Sequence, residues 1–290
     1  MQLAFSQLLN GVGLGMIYFL VAIGLSLIFG LMRFVNFAHG AFYLLGAYVT
    51  FSVSTATGNF FIGIAVAVVF VALFAAMIER LILARIYALP PYFHILATFG
   101  LTLMIEEGVR MIWTAAPQLV KTPELFRGLT FIGPLFYPNY RLLVITIAAI
   151  SSIGVWAVLE RTKLGAAIRA GAENREVVML LGLNISGLFM ANFVLGAALA
   201  AFAGGLISPI RGVDPYMGVE AIGIAFVICV VGGLGSFKGT LIAALVIGIL
   251  QSFATSMWGA GAGIVAYLVM AVVLLIKPQG LFSSPAGQTR

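Results

Sequence analysis

Arg169, Glu173, Arg175 and Glu176 stand together in LGAAIRAGAENREVVMLLGLN (Leu164–Asn184), with Arg161 and Lys163 just before it. The chain is only 8% charged, and long apolar segments flank this stretch on both sides. Asn174 can cap a helix, because its side-chain oxygen can accept an orphan N–H of the first turn. Glu176 then falls in that first turn, where the helix dipole favours a carboxylate. Val177, Val178, Leu180 and Leu181 make a short apolar face, Gly182 suits a left-handed C′ position, and Asn184 can cap the next helix. The spacing predicts helix, break, helix: a short surface helix between two apolar spans. The plainer alternative is a charged loop with a single helical turn.

Two other constellations carry polar chemistry. In VNFAHGAFYLLGAYV (35–49), Asn36 and His39 place two polar side chains, and Gly40 a flexible point, at the entry of an apolar segment. Two readings stand. One is an interfacial helix start with a satisfied histidine. The other is a broken or re-entrant segment beside a transport path, tolerated only where it faces protein or water. Glu106 and Glu107 sit four and three residues before Arg110, so they can pair with it on one helical face. An intramembrane carboxylate is a candidate proton relay, but an arginine in reach makes a structural ion pair the preferred reading.

Composition sets the frame for these sites. Of 290 residues, 62% are hydrophobic, and the mean hydropathy is +1.16. A soluble domain is nearer half apolar and a quarter charged, so the chain is expected to be a polytopic membrane protein. The net charge of +6 is then read as topology and not as a nucleic-acid partner. The one cysteine, Cys229, excludes an internal disulfide and a cysteine-based zinc site, and two histidines, His39 and His94, are too few for a metal cluster. GGLGSFKGT (Gly232–Thr240) looks like a phosphate-binding loop but fails on order, since Lys238 precedes Gly239. It is read as a tight turn between spans. No triad, metal spacing or carboxylate pair points to an enzyme, and no cofactor is expected on this chain.

An all-α bundle of about nine spans, within a range of eight to ten, must carry these groups. A span needs about 20 apolar residues. The expected spans are Leu8–Leu31, Val35–Phe51, Phe60–Ile82, Phe93–Trp113, Leu142–Leu159, Ile185–Ser208, Ala221–Leu234, Thr240–Thr255 and Ile264–Ile276. Breaks fall at Ser52–Asn59, Pro90–Pro91, the long loop 115–139, Pro209 and Ser256–Gly263. The absence of charge before Arg33 reads the first run as a retained span and not a cleaved signal. Gly11 and Gly15, and the small residues Gly196, Ala200 and Gly204 beside Ala197, Ala201 and Gly205, allow close helix packing. Placing the charged stretch in the cytoplasm puts Arg33, Arg80, Arg85, Arg161, Lys163, Arg169, Arg175, Lys238, Lys277 and Arg290 inside. Only Arg110, Lys121, Arg127, Arg141 and Arg211 then lie outside. That asymmetry obeys the positive-inside rule, with an external N-terminus and a cytoplasmic C-terminus.

The residues quoted above, with VVGGLGSFKG (230–239) and KPQGLF (277–282), resemble the membrane subunits of ABC importers of the branched-chain amino acid class. The resemblance runs over nearly the whole chain. Glu176-Val177-Val178, three residues, then Gly182 keeps the E-A-A-x-x-x-G spacing of the importer coupling loop, with both alanines replaced by valine. The resemblance implies a single permease domain, 1–290, with a cytoplasmic coupling loop at 164–184. In it Arg169, Glu173, Arg175, Glu176, Val177, Leu180, Leu181 and Gly182 would meet the ATPase as a helix in a groove. It implies a second, related permease subunit, two ATP-binding subunits and an external solute-binding protein, in a bacterial inner membrane. Lys121, Glu124, Arg127, Arg211 and Asp214 lie in the outer loops where that protein would dock. Asn36, His39, Thr98, Thr102, Asn192 and Gln251 are candidate path-lining groups. The solute would be a branched-chain amino acid or a related small molecule. The rivals are a stand-alone secondary transporter or channel, which would want an ionisable group near mid-membrane, and a purely structural membrane subunit.

Overall fold

The computed structural model describes residues 2–132 and 135–282. Arg290, counted above among the inner charges, lies outside them, as do Gly133 and Pro134 of the long loop. The helices are α1 (Gln2–Met32), α2 (Ala38–Thr57), α3 (Phe60–Ile78), α4 (Ala84–Ile86), α5 (Pro91–Trp113), α6 (Asn139–Arg161), α7 (Lys163–Glu173), α8 (Arg175–Leu180), α9 (Ile185–Arg211), α10 (Met217–Gly232), α11 (Phe237–Trp258) and α12 (Ala262–Ile276). A π-helical turn, Glu79–Leu83, joins α3 to α4 without a break. Each of the nine stretches expected to span is helical over most of its length; 35–37 at the start of the second and 233–234 at the end of the seventh are not. Among the described residues five helices are long and apolar enough to cross a membrane: α1, the continuous α3–α4, α6, α9 and α11. The apolar α10 and α12 are shorter, and α2 and α5 are diluted by hydroxyls, His39 and the Glu106–Arg110 cluster.

Several boundaries differ from expectation, each for a local reason. Helix α2 runs through Ser52 to Thr57, where left-handed Gly58 stops it. Asn59 then caps α3, accepting from the N–H groups of Phe61 and Ile62. The helix expected to end at Pro209 continues to Arg211. Proline withholds the N–H that the Gly205 carbonyl would have received; the Ser208 hydroxyl donates to that carbonyl instead, at 2.8 Å. The long loop is not structureless: β1 (Leu129–Ile132) and β2 (Leu135–Pro138) pair as an antiparallel hairpin. The bundle is therefore mostly, not wholly, helical.

Close backbone approach holds the centre. A side chain on Gly15 would lie 2.8 Å from the Ala244 carbonyl of α11, and one on Gly24 would lie 2.7 Å from the Gly196 carbonyl of α9. Gly46 meets Ala201, and Gly204 meets the Tyr43 carbonyl. The small-residue motifs thus pack α1 and α2 within this chain. In apolar surroundings such contacts gain dispersion energy that bulkier residues would forfeit.

Between α1 and α2 the chain doubles back. Arg33 takes a left-handed φ of +60 and closes α1, its N–H donating to the Phe29 carbonyl at 2.8 Å. Residues 34–37 are non-helical, yet Phe34 and Asn36 are buried. At His39 the chain is level with Val21, whose carbonyl lies 2.9 Å from Nε2. Val21 is ten residues back from Leu31, roughly 15 Å along the α1 axis. The helix is broken here, and Phe34 and Asn36 of the irregular backbone are covered by protein.

Candidate coupling loop and cavity

The charged stretch folds as two helices and not one. Thr162 caps α7, accepting from the Gly165 N–H. Asn174 ends α7 and starts α8, accepting from the N–H groups of Glu176 and Val177 at 3.0 and 3.2 Å. Gly182 has φ +77, and Asn184 caps α9 through the Gly187 N–H. The caps and the left-handed glycine stand as the spacing predicted, and α7 is additional.

Within α8 the apolar residues divide. Val178 is 1% exposed, whereas Leu180 is 87% and Leu181 72% exposed. Val177 and Met179 are half-exposed, and Glu176 is exposed beside them. One residue anchors the helix and the rest present an apolar face. The arginines do the holding. Arg175 donates to the Leu31 carbonyl at 2.7 Å and lies 5.0 Å from the centre of the Phe189 ring. Burial, and then the neighbouring Arg33 guanidinium, lower its pKa, although arginine titrates so far above neutrality that it stays charged. Arg33 donates to the Ala172 carbonyl at 3.2 Å. Arg169 donates to the Leu159 carbonyl and faces Glu160 at 3.6 Å. Glu173 is exposed. Arg169 and Arg175 therefore tie the loop to the ends of α6 and α1, while Glu173, Glu176 and the leucines face outward.

Phe189 links this anchor to the bundle. Its ring meets Tyr87 edge-on at 5.0 Å, and Tyr87 donates to Glu79 in the π-turn at 2.7 Å. Tyr87 also stacks on His94, which stacks on Phe34 of the broken segment at 4.7 Å. Glu79 is buried in this cluster. The glycine turn and the C-terminal motif meet as well: the Leu281 N–H donates to the Val231 carbonyl at 2.8 Å, and the Gly235 N–H donates to Ser26 Oγ at 3.0 Å.

The candidate path residues fall into two places. Asn36, His39, Thr98, Thr102 and Asn192 are buried around the broken segment. Thr98 Oγ1 accepts from the Phe37 N–H at 3.3 Å, and Asn192 donates to the Leu27 carbonyl at 2.8 Å. Both side-chain atoms of Asn36, Nδ1 of His39 and Oδ1 of Asn192 have no partner. Because a carbonyl only accepts, His39 Nε2 carries the proton toward Val21. The histidine is thus half-satisfied. Gln251 lies elsewhere, accepting from the Tyr18 hydroxyl at 3.0 Å in the wall of a cavity of about 840 Å³.

That cavity is framed by α1, α6 and α9–α12. Gln7, Asn10, Ser252 and Thr255 line one end, and Tyr18, Arg211, Glu220 and Ile224 the other. Arg211 was expected in an outer docking loop; it is the last residue of α9 and pairs with Glu220 at 2.7 Å in the cavity wall. The other docking candidates stay in the connecting segments. Lys121 is exposed, Glu124 and Arg127 pair at 3.3 Å, and Asp214 accepts from the Tyr216 N–H at 2.9 Å. Of the two carboxylates expected to pair with Arg110, Glu107 does so at 3.1 Å, while Glu106 is buried and its Oε1 is unpaired. Tyr18 escaped the sequence reading and Arg141 entered it only as an outer charge, because single polar residues in apolar helices do not reveal which of them share a space.

Residues 7–277 match the family model described as branched-chain amino acid transport system, permease component. The high-affinity branched-chain amino acid transport system permease protein LivH of Escherichia coli K12 is 30% identical, over 96% of this chain and 95% of that one. BraD of Pseudomonas aeruginosa, named for the same kind of system, is 28% identical over the same shares. The LivH-like protein of the archaeon Methanocaldococcus jannaschii is 28% identical over 90% of this chain and 87% of its own. In three dimensions the chain resembles PsaBC of Streptococcus pneumoniae with a TM-score of 0.53, 13% identity and coverage of 93% and 91%, a likeness of fold alone. A multi-pass helical chain with a capped, outward-facing apolar helix and a match of this extent belongs to the family of branched-chain amino acid transport permease components.

Proposed function

We propose that this chain is one of two related permease subunits of a binding-protein-dependent importer in a bacterial inner membrane. It carries branched-chain amino acids or closely related solutes. ATP is bound and hydrolysed by two separate subunits, and a solute-binding protein delivers the substrate at the opposite face. The names of the full-length relatives support the solute class. The charge asymmetry supports nine spans, an external N-terminus and a cytoplasmic loop at 164–184.

The observation that carries the coupling role is the exposed apolar face of α8, with Leu180 and Leu181 presented to solvent and Val178 alone buried. A helix that buried its apolar face in its own chain would have nothing to offer a groove. Closure of the ATPase subunits would pull on α8. Arg175 ties that helix to the end of α1 and to Phe189 of α9, and from Phe189 the aromatic cluster runs to the broken segment. Asn36, His39, Thr98, Thr102 and Asn192 flank that segment, so displacing it would change the path they line. Lys121, Glu124, Arg127 and Asp214 offer the polar surface for the solute-binding protein.

Affinity purification from the native membrane is the test. A second permease and an ATPase pair should travel with this chain, and the reconstituted complex should hydrolyse ATP faster with loaded receptor than without. A chain that purifies alone and transports without nucleotide would refute the importer reading in favour of a secondary transporter.

A further inference from the structure

We infer that the cavity bounded by Arg211 and Glu220 is a substrate-holding site on this chain, shaped for a zwitterionic α-amino acid with an aliphatic side chain. The inference rests on the importer reading above and adds to it a place, an orientation and named contacts.

The charged pair is unusual in its setting. Arg211 ends α9 and Glu220 lies in the first turn of α10, so each charge faces the helix pole that favours it. Their side chains are 45% and 55% exposed, and both line the cavity. A pair serving only to clip the α9–α10 turn gains nothing from an adjoining void. An α-amino acid carries the complementary pair of charges on neighbouring atoms. Its carboxylate can replace Glu220 at the Arg211 guanidinium, and its ammonium can replace Arg211 at the Glu220 carboxylate. Each exchange trades one charge-assisted hydrogen bond for another. No charge is left unpaired in the apolar bundle before or after binding, which is the condition for tolerating charges there.

The walls supply the remaining specificity. Ile17, Ile207 and Ile224 line the cavity around the pair and give an aliphatic side chain an apolar surface. Gln7, Asn10, Ser252 and Thr255, with the charged Arg141, also line the wall. Gln7 accepts from the Ser252 hydroxyl at 2.7 Å, and Asn10 is held by Tyr137 and Arg141. From Gln7 to Tyr18 is eleven residues of α1, roughly 16 Å of path. A smaller hollow adjoins the cavity, lined by Tyr18, Val21 and Tyr43 as well as by Arg211 and Glu220. The Val21 carbonyl meets His39. The pair thus lines both spaces.

The test uses the reconstituted complex of both permeases, the ATPase pair and the receptor, with radiolabelled L-leucine. Uptake rate at saturating loaded receptor and receptor-stimulated ATP hydrolysis are measured together. Glu220→Gln keeps a hydrogen-bond acceptor for Arg211 but removes the charge an ammonium needs. Ile224→Trp fills the cavity without touching the pair. Both should lower uptake about tenfold or more while stimulated hydrolysis persists, so that ATP spent per leucine rises. The double exchange Arg211→Glu with Glu220→Arg re-forms a clip but would turn the zwitterion around, away from the isoleucines, and should not restore uptake. Wild-type uptake by Ile224→Trp, or recovery in the charge exchange, would overturn the site and leave the importer reading intact. Failure of the wild-type complex to take up leucine with its receptor would instead sink the reading beneath it.

Discussion

Replacing Leu180 and Leu181 with serine removes the outward face of α8 and leaves its anchor alone. Complete burial of a leucine side chain is worth ~1.5–3 kcal/mol. Because Leu180 is 87% and Leu181 72% exposed in the isolated chain, nearly all of that burial would occur on docking. The pair of substitutions should therefore weaken the permease–ATPase interface by about 3 kcal/mol, on the order of 150-fold in affinity. The cost to the permease itself should stay within about 0.5 kcal/mol, as for other exposed positions. Val178→Ala is the opposite perturbation. It removes buried methyl groups at a residue that is 1% exposed, so it should loosen the loop by about 1 kcal/mol and leave the docking face in place. The assay titrates ATPase subunits against the purified permease pair and reads the dissociation constant, with receptor-stimulated hydrolysis as the functional companion. If the serine double variant bound within about threefold of wild type, the docking assignment of α8 would be refuted.

Three further outcomes follow from the same geometry. In a Cys229→Ser background, which can retain a donor to the Ala22 carbonyl now met by Sγ at 3.2 Å, a membrane-impermeant maleimide should label Leu119→Cys in intact cells and Leu180→Cys only after permeabilisation. Labelling of Leu180→Cys in intact cells would invert the topology. Arg175→Met should lose a charged hydrogen bond and a ring contact worth together about 2 kcal/mol. It should speed amide hydrogen exchange across 163–180 with no change in α11, and unchanged exchange would show that Arg175 is not the anchor. Gly182→Val meets no atom within 4 Å but must hold a φ of +77, at a cost of about 1–2 kcal/mol. Uptake and stimulated hydrolysis should fall while the complex still assembles, and full activity would free that turn of its coupling role.

The helices were legible because a membrane leaves the backbone few options. With no water to satisfy N–H and C=O groups, a long apolar run favours a helix, and each of the nine runs is helical over most of its length. The coupling loop was legible for a different reason. Caps act over three or four residues, so Asn174, Gly182 and Asn184 declare their roles within the local sequence. What contact across the chain decides was out of reach. The side chains of Arg175 and Leu180 lie on one short helix, yet one is turned inward to Leu31 and the other left bare. Their spacing of five residues puts them on different faces of the helix, but which face turns inward is decided by α1 and α9 packing beneath.

The broken segment shows the same division. Sequence alone placed Asn36, His39 and Gly40 at a membrane entry and left two readings open. Only the tertiary structure could show 34–37 running back beside α1 until His39 meets Val21, since that depth depends on glycine contacts between α1, α2 and α9 that lie far apart in sequence. Arg211 and Glu220 are the plainest instance. The charge pattern put Arg211 in an outer loop and did not pair it with Glu220. Their meeting at 2.7 Å in the wall of a cavity depends on the α9–α10 turn and on the four other helices that enclose the space. A chain's sequence specifies local dihedral preference and the solvent each segment prefers; which polar groups share a cavity is decided when those segments pack.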